Sequence, residues 1–421
     1  MIASLASLPE EYWTVRGPYL ARLHEELGPL VKARLGQTDI LFLLGPEANR
    51  FILQTERSAF SHNLGWGWAF GRTSGPRNLL TMDGAEHRRH RDALHPAFAA
   101  RRIADYVPRI ARVIDRRLDT WAWRGVVDVY EEARVIALDL VAEVLLGFRF
   151  GQELTLCRAV YLHGAHKRAG ELHELLRRKI AERRSQPTGD ALSLAAQARD
   201  EAGRPWSEDQ ILAHADTLLI AGHETTASLA AWTLYLLALH PAYANRIRNS
   251  ANLSRTDNLL TVSLHHDSFL ARVLSEAERL YPPVSTAPRG LARDVVFQGH
   301  MLPAGTMTIY SAAATHLLPS VWNNPCTFDP DRFGPPREEH KRTPYALAGF
   351  GGGPRTCIGR VLARVELAML LTRVLDRYAI EVLPGQHIAQ RYGITSRPAQ
   401  GIRVSVRQRK DRPAAWGATD A

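Results

Sequence analysis

Cysteine is scarce in this chain: Cys157, Cys326 and Cys357 are the only three in 421 residues. So few cannot build a disulfide framework, and no Cys-x-x-Cys pair or Cys/His set has zinc spacing, which excludes a secreted stapled scaffold and a structural zinc module. Long hydrophobic runs are lacking too. Met1–Ala21 carries Glu10, Glu11 and Arg16 and has no apolar core, so it reads as neither signal peptide nor membrane anchor. The longest apolar stretches elsewhere lie inside helically patterned segments, and a cytoplasmic protein is the expectation. No Gly/Ser-rich or Pro-rich linker and no repeat period appears before the C-terminal end. Length alone suggests two or three domains, yet with no break to divide it the chain reads as one domain over 1–406. A charged and then Pro/Ala/Gly-rich tail, 407–421, is expected to fray. Acidic residues are outnumbered 43 to 53, a net charge of +10. That excess can suit nucleic acid, but no nucleic-acid module is visible, and an acidic protein partner fits better.

Helical periodicity dominates what is there. Val31–Gly45 alternates and predicts two short strands around Gly36-Gln37, and Pro46–Glu56 predicts a short helix. The pattern then stays mostly helical to about Tyr281, with short strands between Arg289 and Tyr310 and again at Ile380–Leu383 and Ile402–Val406. That order predicts a mainly α chain with small β-sheets at one side, an α+β arrangement. The longest helix is bounded by Ser207-Glu208-Asp209-Gln210, a capping box, and by His240-Pro241. About 33 residues make a rod of roughly 50 Å, long enough to cross the whole domain.

Chemistry concentrates in Phe350-Gly351-Gly352-Gly353-Pro354-Arg355-Thr356-Cys357-Ile358-Gly359. One cysteine stands behind a glycine-rich loop and before an apolar helical run. A thiolate at such a junction meets the amides of the first helical turn, and the helix dipole is expected to favour its anionic form. The glycines are expected to let a flat ligand approach the backbone, and Arg355 can meet an anionic group. Cys157 and Cys326 read as small buried side chains. The loop resembles the haem-binding signature of the cytochrome P450 family, Phe-x-x-Gly-x-Arg-x-Cys-x-Gly, at every fixed position.

Further motifs carry the same resemblance. Ala221-Gly222-His223-Glu224-Thr225-Thr226, in the middle of the long helix, resembles the family's oxygen-activation motif. Gly222 is expected to make room for a ligand, and Thr225 to hydrogen-bond back to a helix carbonyl. The resemblance implies that Glu224 and Thr225 form the acid–alcohol pair that delivers protons. Glu276 and Arg279 share a face of the predicted helix Asp267–Leu280, and Arg332 stands in Phe328-Asp329-Pro330-Asp331-Arg332-Phe333. The family joins these three in a structural network behind the cysteine loop. His87 and Arg91, four apart in Gly84–Arg91, match the family's propionate contacts, as do Arg289 and Arg355.

Taken whole, the resemblance implies the single-domain P450-like fold from about Val31 to Val406, with haem between the long helix and the cysteine-loop helix. It implies haem b held by Cys357 at the iron, in a monooxygenase that puts one oxygen atom of O2 into a C–H or C=C bond. Phe350 and Gly359 belong to the same cofactor loop. The chain has no room for a reductase domain, so electrons are expected from a separate ferredoxin or flavodoxin and its reductase, with NAD(P)H acting only through them. Arg88 and Arg89, with Arg101 and Arg102, offer a basic face to an acidic ferredoxin. A monomer with no nucleic acid and no membrane anchor is expected. Trp66, Trp68, Phe70, Leu219, Val284, Ser285, Thr286 and Ile394 are expected around a pocket for a hydrophobic substrate such as a lipid or terpenoid. The stretch from Gly147 to the basic helix Leu175–Arg184 reads as shorter than the family's usual pair of lid helices. Alternatives are a haem-thiolate peroxygenase, an isomerase, or a non-catalytic haem protein.

Overall fold

The computed structural model describes residues 2–70, 77–250 and 268–410. Helices form the body: α1 (Arg16–Leu27), α2 (His62–Phe70), α3 (Gly84–Leu94), α4 (Ala100–Leu118), α5 (Val129–Leu140), α6 (Gln152–Tyr161), α7 (Ala169–Ser185), α8 (Ala191–Gln197), α9 (Glu208–Leu239), α10 (Phe269–Leu280), α11 (Ala312–His316) and α12 (Arg360–Arg377). A six-stranded sheet lies to one side. It runs β1 (Ala3–Leu5), β2 (Leu30–Leu35), β3 (Thr38–Leu43), then Met307–Tyr310, Ala287–Leu291 and Phe60–Ser61. The alternating segment 31–45 forms the antiparallel pair β2–β3, closed at Gly36, whose φ of 61° is the left-handed turn conformation glycine adopts freely. A second, three-stranded sheet joins Tyr378–Val382, Arg403–Gln408 and Val126–Asp128.

The 32-residue α9 starts as its sequence dictates. Ser207 Oγ accepts from the Gln210 amide and the Gln210 side chain returns the bond to Ser207 N, so two amides that a helix start leaves unpaired are satisfied. Its flanks are buried almost throughout, in one apolar core with α4, α5, α10 and α12. A smaller cluster packs Trp66 and Phe70 of α2 against the six-stranded sheet.

Four expectations are corrected. Strand Arg403–Gln408 takes the first two residues of the supposed tail into the three-stranded sheet, where Arg407 faces Ala379; residues 411–421 lie outside the described ones. The predicted helix Asp267–Leu280 begins at Phe269 with Ser268 as its cap, Oγ accepting from Ala271 N, while Asp267 lies outside the described residues. The lid region holds two helices, α6 and α7, and α7 starts at Ala169, six residues ahead of Leu175, with Gly170 in its first turn. Cys157 is buried as expected, but Cys326 is exposed. No helix among the described residues is long and apolar enough to cross a membrane.

Candidate functional site

The cysteine loop is shaped by the protein's own packing. Gly351 and Gly353 hold φ of 72° and 59°, which side-chain-bearing residues rarely adopt. A Cβ on Gly352 would lie 2.7 Å from the Tyr345 ring, and one on Gly353 would run into the Leu53 carbonyl. The glycines seat the loop on its neighbours. Cys357 N donates to the Phe350 carbonyl at 2.9 Å, closing the loop just before α12, and the Gly359 amide hydrogen-bonds to the thiol. Arg91 of α3 reaches across to the Thr356 carbonyl at 2.8 Å, beside the cysteine. Cys357 is exposed on one side, yet the atoms packed behind it push its thiol up, outweighing the Gly359 amide, Arg91 and Arg360. The Gly359 amide and the nearby arginines favour the anionic form while burial opposes it, and a metal cation at the sulfur would tip the balance to the thiolate.

Cationic groups converge near this loop. Burial first, then Arg355 and Arg91, hold His87 down at about 3. Burial lowers Arg355 to about 10, with Arg289 and Arg91 adding to the effect, and it lowers the buried Arg289. His62, at the start of α2, is pressed well below its ordinary value by burial and by Arg289, Arg355 and His87. Against this crowd stands Asp83, which ion-pairs Arg355 at 3.1 Å and accepts from Ser61 and the His62 amide. Groups that suppress one another's charge this strongly form a socket for anions, and two carboxylates of a haem would relieve it. A thiol open on one side beside such a socket fits haem. His62 was not visible in the sequence, because it comes from a separate helix and has no motif.

Glu224 and Thr225 are neighbours on α9, about 100° apart around its axis, and their side chains find different partners. Thr225 Oγ1 donates to the Ala221 carbonyl at 2.7 Å, the back-bond its position implied. Glu224 points to α5: Tyr130 Oη donates to Oε2 at 2.8 Å and Arg134 Nε to Oε1 at 3.0 Å, with His223 Nε2 3.4 Å from Oε1. Burial alone would raise this carboxyl, but His223, Tyr130 and Arg134 hold it down at about 2. The missing Cβ of Gly222 faces the protein itself. A Cβ there would lie 2.6 Å from Val141 Cγ2, so the glycine lets α9 press against the turn that follows α5.

The network behind the loop is fully buried. Arg279 forks onto Glu276 at 2.7 and 2.8 Å, and Arg332 Nε reaches the same carboxylate at 3.0 Å. Arg332 also pairs with Glu339 at 2.9 Å, a fourth member that the sequence did not announce. The buried His316 joins this network to the loop: its Nδ1 bonds the Arg279 carbonyl at 3.1 Å and its Nε2 accepts from Ala348 N at 3.0 Å. Among the expected pocket residues, Trp66 and Phe70 are buried together, with Val284 packed on their cluster. Leu219 is fully buried, its carbonyl taken by His223. Ser285 serves the backbone, its carbonyl accepting from Ser311, and Thr286 accepts from Arg16 at 3.4 Å. Trp68 and Ile394 are exposed.

A cytochrome P450 family model matches residues 8–160 and 159–405. The chain belongs to the cytochrome P450 family. It is 31% identical over 415 residues to putative cytochrome P450 120 of Synechocystis, covering 93% of this chain and 92% of that one. A cyclooctat-9-en-7-ol 5-monooxygenase of Streptomyces melanosporofaciens is 28% identical over 389 residues, covering 85% and 84%. Among solved structures, retinoic acid bound cyanobacterial CYP120A1 superposes with a TM-score of 0.86 at 28% identity, covering 97% and 99%. The cytochrome P450DA haem domain follows at 0.82 and 25%, covering 97% and 98%. This P450 is accordingly a haem-dependent monooxygenase that takes its electrons from redox partners.

Proposed function

We propose that this P450 oxidises a hydrophobic small molecule of the lipid or terpenoid kind, in one domain, with electrons from a separate ferredoxin or flavodoxin and its reductase. The observation that carries the site assignment is the meeting of Cys357 with the socket of His87, Arg91, Arg289 and Arg355, which His62 completes. Haem held there, iron at Cys357 and propionates in the socket, supplies dioxygen activation and transfer of one oxygen atom. The chain's own groups do the rest. The Gly359 amide and Phe350 carbonyl fix the sulfur and its backbone. Thr225, whose proton is committed to the Ala221 carbonyl, offers its oxygen lone pairs to a donor, and the Glu224 carboxylate, once loosened from Tyr130 and Arg134, can receive and return a proton through water.

Substrate class is supported by two observations. Trp66 and Phe70, with Val284 packed on their cluster, supply apolar surface suited to a hydrophobic substrate. The cyanobacterial relative holds retinoic acid and the Streptomyces relative acts on a cyclic alcohol, both with largely hydrocarbon skeletons. A ligand screen by haem spin shift, followed by turnover with ferredoxin, reductase and NAD(P)H, tests the reading. Hydrophobic ligands should shift the spin state and be hydroxylated or epoxidised only when donors are present. Equal product with no donor would replace the monooxygenase by an isomerase, and product with peroxide alone by a peroxygenase.

A further inference from the structure

Away from the haem site, α4 carries an arginine stripe. Arg102, Tyr106, Arg109, Arg112 and Arg116 follow one another at spacings of four, three, three and four, so they share one face. That face forms one wall of a cleft of about 520 Å3, within the size range of small-molecule sites. The other wall is the 147–150 loop leading into α6, with Arg183 of α7 and the Thr188–Asp190 turn beyond it.

The cleft's charge is not balanced. Six arginines line it against three carboxylates, Asp105, Glu143 and Asp190. Each carboxylate is taken: Asp105 by Arg102 at 3.3 Å, Glu143 by Arg116, and Asp190 by Arg183 at 3.1 Å. Arg109 donates to the Glu143 backbone carbonyl at 3.2 Å, and no carboxylate among the described residues pairs with it or with Arg112. The Arg149 guanidinium stands 3.9 Å from Glu182, while the Arg149 backbone amide donates to Glu153 at 2.6 Å.

A second, independent observation points to a ligand. Tyr106 is only 5% exposed, and its hydroxyl, in the wall of this cleft, lies beside the Arg102 guanidinium but completes no hydrogen bond of full geometry. A buried hydroxyl left unpaired is costly, and an acceptor brought by a ligand would satisfy it. At the rim Phe150 is 65% exposed, with the Arg116 guanidinium 4.2 Å from its ring centre, leaving flat apolar surface for an organic group.

We propose that this cleft binds a phosphate-bearing organic anion, its phosphate on Arg109, Arg112 and the Tyr106 hydroxyl and its organic part against Phe150. Planar guanidinium forks match phosphate oxygens two at a time, and the hydroxyl supplies a further donor. The site shares no residue with the haem socket. It touches the lid, because Lys179 of α7 donates to the Gly147 carbonyl at 3.0 Å, and Gly147 holds φ of 66° where a Cβ would run into Arg183. An occupied cleft braces the loop that leads into α6.

The chemistry is met by a free phosphate ester or by a lipid headgroup, and two arms separate these. Haem-loaded enzyme is titrated calorimetrically with pyrophosphate and with ADP at physiological ionic strength, and is sedimented with phosphatidylcholine vesicles with and without phosphatidic acid. Saturable one-site binding in the first arm identifies a free ester, and binding only to phosphatidic acid vesicles identifies a headgroup. In either arm Arg109→Gln/Arg112→Gln should weaken binding at least tenfold and Tyr106→Phe severalfold, with the carbon monoxide spectrum unchanged. If the double variant does not load haem, Arg149→Gln on the exposed loop serves instead, with about threefold weaker binding expected. No saturable binding in either arm overturns the proposal. So does unchanged affinity in the variants, or loss in them of binding to an acidic protein alone.

Discussion

At the scale of single residues, Glu224 is the member of the proposed proton path with the most sharply defined surroundings. Its carboxylate is held by three partners, two of them on α5, and stays ionised down to about pH 2. A group that must pass a proton has to loosen from that grip, so Arg134 and Tyr130 set how readily it does. Glu224→Gln is expected to cut product formation by roughly 10²-fold, the lower end for a lost acid–base group, while substrate spin shifts and the carbon monoxide spectrum persist. Steady-state turnover beside the two spectra checks this, and unchanged turnover would remove Glu224 from the proton path. Much of this residue set was legible because its members lie close in sequence: Cys357 with Arg355 and Gly359, Glu224 with Thr225, His87 with Arg91. Tyr130, Arg134, His62 and Glu339 were not, because each acts across a tertiary contact, Tyr130 reaching Glu224 over 94 positions. Nothing local distinguishes such a tyrosine or arginine from any other. Gly222 was legible as a close approach but not as to what approaches; only the structure puts Val141 there.

Between elements, α10, α11 and the Phe328–Phe333 segment are locked by charge without water. Removing one partner of a buried ion pair leaves the other unsolvated, which costs roughly 3–5 kcal/mol. Glu276→Ala, stranding both Arg279 and Arg332, should lie at that end, read as a lower denaturation midpoint together with poorer haem loading. An effect below about 1 kcal/mol, the range of a solvent-exposed pair, would show that the network is not structural. His316 adds a pH dependence. Burial, reinforced by Arg279, lowers it from 6.5 to about 3, so between those values the unfolded chain binds a proton that the folded one refuses. Stability from this residue is complete above about pH 6.5 and falls as the pH drops toward 3, by about 1.4 kcal/mol per pH unit. His316→Gln should flatten the stability curve over that window by close to one proton, as measured by denaturant titration at several pH values. The elements themselves were readable from periodicity and caps, Ser207 most plainly. Their buried joints were not, since a histidine bonded at both ring nitrogens looks in sequence like any other.

Over the whole molecule, the net charge of +10 bears on where an acidic electron donor would dock. The basic face expected from Arg88, Arg89, Arg101 and Arg102 is halved by the structure. Arg89 is ion-paired with Glu201, and Arg102 is spent on Asp105 and the Thr188 and Gly189 carbonyls. Arg88, on the helix that carries His87 and Arg91, and Arg101, at the start of α4, remain exposed. Charges of this kind at a rim act on encounter rate and partner choice more than on bound-state affinity, and they weaken with salt. Arg88→Glu/Arg101→Glu is therefore expected to raise the KM for an acidic ferredoxin severalfold and to flatten its salt dependence. Because Arg88 shares α3 with the haem socket, the carbon monoxide spectrum and the substrate spin shift are followed in parallel, and both should hold. A variant whose KM for ferredoxin and salt slope match the parent would move the docking face elsewhere, whatever the haem site does.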